Sequence, residues 1–396
     1  MEYYVSMINE HGSIAVDDTI LIKDLPLSAG SKILEGFKPL FSAEAVERLI
    51  KAGYEIAGKS AVGEFGLDLL GEFGTGGASL RDGKLCMASS ELVAAGSVKA
   101  ALSVDLNGAP RRGAAMAGTD FIKPTYGTVS RYGIVPCACS GEQIGVGAKN
   151  ASDIKEILTV IRGHDPKDGT SLRESDYPAA YKNDGEKITK VCIFKEMYEA
   201  ASEEVRAYLD AYKERLMAAG IEVQELTFGF FEEAAAAWQI LMCAETCNNL
   251  SRYDGVKFGY RSSDYKNIDE LYVNTRSEGL NYLTKSIILY GSDVLSKNRY
   301  SSCYDTALKA RRVICERFKE ITEEYGAVFA PACGYDSYDP YDISNAPLKV
   351  YEESRFSCIP NLTGVPALVS GGVQLMGPAF SDMSLLDLAI LMEEAK

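Results

Sequence analysis

Apolar positions in this chain recur at two spacings, and the switches between them mark out a layered architecture. Val46, Leu49 and Ile50 lie on one face of a helix predicted over Ala43–Ala52, with Ser42 as its N-cap and Gly53 closing it. Tyr54 to Ala57 then reads as a strand. Helix, glycine, strand is the αβ unit of a layered α/β sheet. The pattern returns downstream. A helix over Asp153–Arg162 precedes the turn Gly163–Ser171, and Lys190–Phe194 reads as a strand. An amphipathic helix over Glu203–Ala219 is closed by Gly220 and followed by a strand over Ile221–Leu226. At the start, Val5–Ile8 and Ser13–Val16 read as short strands. Helices dominate from Phe231 to about Tyr325, Ala327–Ala330 is a buried strand, and Ser384–Ala395 is a terminal helix.

Between these units the pattern is weaker. Lys59 to Asp82 is rich in glycine and predicts a surface loop. Ser89 or Ser90 is expected to cap a helix running through Leu92, Val93, Val98 and Leu102. Ile122 to Arg131 mixes a proline, two glycines and polar residues, so it is expected to be mostly loop. No repeat, low-complexity segment or linker interrupts the chain. A single domain over residues 1–396 is therefore expected, and a hydrophobic content of 46% supplies its core.

Charge and cysteine usage narrow the function classes. A net charge of −15 repels nucleic acid phosphates, and no dense basic patch offsets it, so no direct nucleic-acid binding is expected. No apolar run approaches the ~18 residues of a membrane span, and the first residues lack the basic-then-apolar order of a signal peptide. The ten cysteines are scattered through apolar segments, which fits reduced thiols in a cytoplasmic protein. Cys137 and Cys139 form a CxC pair, and Cys243 and Cys247 stand one helical turn apart. With only two histidines in the chain, His11 and His164, these read as buried small hydrophobes and not as metal ligands.

Specific motifs begin at Lys123–Gly133, KPTYGTVSRYG. Others follow a fixed order around it: SKILEGFKP (Ser31–Pro39), EQIG (Glu142–Gly145), GHDPKDGTS (Gly163–Ser171), LSRYDGVKFGYRS (Leu250–Ser262), RSEG (Arg276–Gly279), NLTGVPAL (Asn361–Leu368) and GVQLMGPAF (Gly372–Phe380). Together they resemble the amidase signature family, in particular the branch that serves charged tRNA as A subunits of aspartyl/glutamyl-tRNA amidotransferases. The likeness runs from Val16 almost to the end, and the N-terminal helices usual in the family are expected to be missing. It implies an α/β fold with a mixed central β-sheet flanked by helices on both faces. It also implies amide hydrolysis without a cofactor, with glutamine as ammonia donor and partner subunits that use the ammonia.

Such hydrolysis needs an oxygen nucleophile, a base to take its proton, and backbone N–H groups aimed at the oxyanion. By the resemblance these are a serine, a lysine held neutral by burial, and a second serine with a cis peptide bond between them. The family's Asp-Thr-Gly-Gly-Ser matches Asp105–Ala109 here, so Ala109 stands at the nucleophile. The bridging serine's place in its Gly/Ser-rich run falls on Leu85, and the lysine's place falls on Asp17. The ordinary reaction is therefore expected to be lost. Cys86, next to the bridging position, and Ser79, in the glycine-rich GTGGAS of Gly74–Ser79, are the available substitute nucleophiles.

The side that grips substrate looks better kept. The resemblance assigns Tyr260, of the FGY motif, and Arg311 to holding an amino acid, a guanidinium being suited to a carboxylate. Asp105 matches a family position, and Asp382 falls one place from an aspartate the family uses. The expected function is a catalytically inactive amidase-like protein, binding a ligand or acting as a scaffold subunit. Its candidate partners are amidotransferase-like subunits, a second copy, or a small amide or amino acid. The alternative is an active amide hydrolase rebuilt on Cys86 or Ser79.

Overall fold

The computed structural model describes residues 3–177 and 187–394. The strands are, in chain order, β1 (Tyr4–Met7), β2 (Ile14–Asp17), β3 (Ile56–Ser60), the short hairpin β4 (Leu80–Arg81) and β5 (Lys84–Leu85), β6 (Ala100–Asp105), β7 (Asp120–Lys123), β8 (Gln143–Ala148), β9 (Lys190–Phe194), β10 (Glu222–Leu226), β11 (Ala327–Pro331), β12 (Ala367–Ser370) and β13 (Val373–Met376). The helices used below are α1 (Glu44–Lys51), α2 (Ala88–Ala94), α3 (Ala109–Ala117), α4 (Ala151–Ile161), α5 (Lys195–Ala200), α6 (Glu203–Ala218), α7 (Phe231–Leu250), α8 (Ile268–Gly279), α9 (Tyr282–Val294), α10 (Asp305–Tyr325), α11 (Ala346–Thr363) and α12 (Asp382–Glu394).

Eleven of the described strands form one sheet in the order β1-β3-β2-β6-β8-β7-β12-β13-β11-β9-β10. Pairing is parallel around β2 and around β9 and antiparallel through the middle, so the sheet is mixed. Side chains alternate across it. Along β11, Val328 and Ala330 join one apolar cluster while Ala327 and Phe329 join the other. The first cluster takes most of its helical side chains from α7, α9, α10 and α11, with Met197 of α5 and Val205 of α6, and the second from α1, α4, α6 and α12. A sheet buried on both faces needs strands that are apolar throughout, which is why β2, β6, β8 and β11 carry few charges.

Several expectations are corrected in detail. Ser42 does not cap α1; its hydroxyl accepts the Lys23 N–H at 3.0 Å, and Ala43 stands at the cap without a side-chain bond. The helix expected through Leu102 stops at Ala94, and Leu102 lies on β6, because Gly96 takes a left-handed turn at φ 70°. Neither Ser89 nor Ser90 caps it; both lie inside α2, and Ser89 bonds Ser103 of β6 at 3.1 Å. Ile122 and Lys123 belong to β7, so the expected loop starts only after them. The segment Lys59–Asp82 is no surface loop in its first part: Lys59, Phe65, Leu67, Leu69 and Leu70 are buried. The terminal helix ends at Glu394, and Ala395 lies outside the described residues.

Candidate functional site

The fold carries three sequence-distant pieces to one place. β2 ends on Asp17, β5 leads through Leu85 to α2, and β6 ends on Asp105 before the turn that starts α3 at Ala109. The turn needs glycine at 108. Its φ is 81°, and a Cβ there would stand 2.2 Å from the Ser357 Cβ. Asp105 fixes the turn from below: its carboxylate accepts the Gly108 N–H at 3.2 Å and Arg111 at 2.7 and 3.1 Å.

A void of about 20 Å³ remains where Asp17 and Ala109 face each other, walled also by Thr19, Phe65, Leu70 and Met87. It holds about one water molecule. Thr19 Oγ1, on its wall, is buried with no hydrogen-bond partner among the described residues. Leu85, Met87 and Leu106 are all buried in the larger apolar cluster. No cis peptide bond occurs among the described residues.

Asp17, expected at the lysine's place, sits in a buried cluster of acid and hydroxyl groups. Ser60 Oγ donates to Asp17 at 2.7 Å across the parallel β2–β3 pair. Burial pushes the Asp17 carboxyl up to about 7, against the hydroxyls of Ser60, Ser103 and Ser89, with Asp18 adding to the rise. Next to it, Lys59 Nζ meets Asp18 at 3.0 Å, both fully buried, and Ser28 donates to the other Asp18 oxygen from its N–H at 2.9 Å and its hydroxyl at 2.6 Å. Burial lowers the Lys59 amine, while Asp18 opposes that. Lys59 is thus tied to Asp18 and not free to act as a base. Lys59, Ser60 and Ser103 gave no motif, and only the register of β2 on β3 and β6 reveals them; Ser89, expected as a cap, reaches the cluster from α2 through Ser103.

Cys86 and Ser79 flank the β4–β5 hairpin, and the Cys86 N–H donates to the Ser79 carbonyl at 3.0 Å. Both are buried. The histidines are elsewhere: His11 is exposed beside Glu10, and the His164 carbonyl accepts from Arg48.

Of the four expected ligand-holding residues, Asp105 and Asp382 both face Lys123, while Tyr260 and Arg311 each have other partners. Asp105 is fully buried; burial would raise its carboxyl, but Arg111, Asn361 and Lys123 hold it below the usual value. Asp382 accepts the Thr125 N–H at 2.7 Å and is raised by burial. Lys123 lies between these acids, and burial lowers its amine to about 8. Arg311 donates to the Ser140 hydroxyl at 3.1 Å and carbonyl at 3.2 Å. Tyr260 bonds Glu278, with the Lys32 amine 4.1 Å over its ring. Among the described residues no hydrogen bond or ring contact joins Tyr260 to Arg311, and neither walls the void. No described group of three or more His, Cys, Asp or Glu is placed to hold a metal ion. No described helix is long and apolar enough to cross a membrane.

A mixed sheet with helices on both faces, and a strand–glycine–helix turn from β6 to α3, are the architecture of an amidase-type α/β protein. Residues 13–386 match the Amidase family model, and the chain belongs to that family. Over 400 residues it is 34% identical to the A subunit of glutamyl-tRNA(Gln) amidotransferase from Campylobacter concisus, covering 97% of this chain and 88% of that one. The corresponding chain of Halothermothrix orenii is also 34% identical, covering 96% and 84%. Among solved structures, the A subunit of the Thermotoga maritima glutamyl-tRNA(Gln) amidotransferase superposes with a TM-score of 0.80 at 25% identity, over 99% of this chain and 87% of its own.

Proposed function

We propose that this protein is a catalytically inactive member of the amidase family that serves as a scaffold within an assembly, and not as a small-ligand receptor. The observation that carries this is the void between Asp17 and Ala109. At about 20 Å³ it is far below the roughly 300–1,000 Å³ of small-molecule sites. An amide substrate does not fit there, and Ala109 has no atom to attack it with. Loss of nucleophile and base from such a site costs on the order of 10⁶ in rate. Relatives with this fold are named as subunits, which supports a partner-bound role. No disulfide joins any of the ten cysteines among the described residues, which supports a reducing, cytoplasmic setting.

The rebuilt-nucleophile reading lacks support from the surroundings of Cys86 and Ser79: both are buried, and both histidines are placed elsewhere. The ligand-binding reading lacks it at Arg311, whose donors already serve Ser140. Calorimetric titration of the purified protein with glutamine and asparagine tests the choice. The scaffold reading expects no binding heat at millimolar ligand. Saturable binding that disappears in Arg311→Ala would establish the receptor reading instead.

A further inference from the structure

Two acids at the closed centre lack the counter-charge that two neighbouring acids have. Asp18 is held by Lys59 at 3.0 Å, and Asp105 by Arg111 at 2.7 Å. Asp17 and Asp68 are as deeply buried, at 2% and 1% exposed, yet neither has an ion pair among the described residues. Neutral donors serve them instead. Ser60 donates to Asp17 at 2.7 Å, and the Gly71 and Phe73 N–H groups donate to Asp68 at 3.1 and 2.8 Å. A carboxylate has about four acceptor sites, so both keep capacity toward a further group. Burial raises the Asp68 carboxyl well above its usual value, with Glu72 adding to the rise.

Both acids wall the void of about 20 Å³ beside Ala109. Thr19 walls it too. That residue is 5% exposed, and its Oγ1 has no hydrogen-bond partner among the described residues. A buried hydroxyl left unpaired is costly, so the void is where its partner belongs. Gly63, Gly66 and Gly71 also line the space, and without side chains they let the backbone come up to its wall. Oxygen donors from three side chains, two acids without a counter-ion and room for one water-sized body select a cation, because water brings no charge.

We propose that this void is a binding site for one monovalent cation of about water's size, potassium or ammonium, with Asp17, Asp68 and Thr19 Oγ1 as its side-chain ligands. Divalent ions fit less well. Magnesium keeps several of its waters, for which the void has no room, and no described group of three or more acids is placed to hold calcium. Softer metals prefer nitrogen and thiolate donors, and no histidine or cysteine among the described residues lines the void. The ion would tie the end of β2 to the loop that carries Asp68, bracing the closed centre from inside. Amide turnover would overturn the inactive-scaffold reading and leave this ion test standing.

The test uses the full chain and urea unfolding at constant ionic strength in potassium, ammonium and tetramethylammonium chloride, the last being too large for the void. Potassium or ammonium at about 0.1 M should lower the unfolding constant roughly tenfold relative to tetramethylammonium, as an ion dissociation constant of about 10 mM implies. The effect should saturate, and it should be lost in Asp68→Asn and in Thr19→Val. An effect of one ion alone names that ion as the occupant. Wild-type crystals soaked in a thallium(I) salt, which replaces either ion, give a second reading that needs no variant. One anomalous peak walled by Asp17, Thr19 and Asp68 is expected. Equal unfolding constants in the three chlorides, an ion effect kept in both variants, or thallium at surface positions only would overturn the proposal, and water would then be the occupant.

Discussion

Asp17 and Ser60 are paired in register across parallel strands β2 and β3, and the serine hydroxyl donates to the carboxylate at 2.7 Å. The end of β2 is thereby closed by an acid–hydroxyl contact with β3. A carboxyl pushed up to about 7 is mostly protonated in mildly acidic solution and half ionised near neutrality.

That shift has a signed consequence. The folded value lies above the ~3.9 of an unfolded aspartate, so the fold binds the proton more tightly than the unfolded chain does. Stability from this residue is full below about pH 4 and is lost as pH rises through about 7. Asp17→Asn removes the titration. Its stability difference from wild type should therefore move in the variant's favour by a few kcal/mol between about pH 4 and pH 8, on the order of 1.4 kcal/mol for each tenfold difference in proton affinity between the folded and unfolded chains. Urea unfolding of both proteins across that range checks it, and parallel profiles would contradict it.

Lys59 and Asp18 form a fully buried pair, whereas Lys84 and Asp339 form an exposed one at 2.7 Å. Removing one member of a buried pair strands the other, which costs about 3–5 kcal/mol, while exposed pairs contribute little. Lys59→Met should therefore lower the unfolding free energy by about that amount, and Lys84→Met should leave it nearly unchanged. Equal effects in denaturant titration would show that Asp18 is held by Ser28 alone.

Gly108 sits at φ 81° with Ser357 in the space a Cβ would take. Gly108→Ala should cost at least about 2 kcal/mol from backbone strain and overlap together. Ser357→Gly relieves the overlap but also removes the hydroxyl that accepts from Arg112 and donates to the Asn107 carbonyl, so the overlap part is read as the coupling in a double-mutant cycle of the two substitutions. Zero coupling between the two substitutions would place the whole effect in the backbone.

Much of this architecture was legible because each αβ unit announces itself through a change of hydrophobic period. Lys190–Phe194 and the helix from Glu203 were readable to within a residue. What failed was local chemistry overridden by packing. The glycines after Lys59 suggested exposure, yet they let the chain pass close to buried groups, as at Gly63, whose Cβ would overlap the Asp68 carboxylate. Ser89 and Ser90 look like caps, but the Ser89 hydroxyl is drawn into the sheet by Ser103. At the site, Asp17, Leu85 and Ala109 were each expected from the motif match alone. The closure of the space between Asp17 and Ala109, and the part played by Ser60 and Lys59, depend on strand register, which no spacing along the chain specifies.

The central claim is that the family's reaction centre is closed and inert. The most direct measurement is ammonia release from glutamine and asparagine by the purified wild-type protein at millimolar substrate. The account predicts no release above a buffer control, and no change on Cys86→Ala or Ser79→Ala. Turnover that disappears with either substitution would contradict it, because a rebuilt nucleophile would then be doing the chemistry that Ala109 cannot.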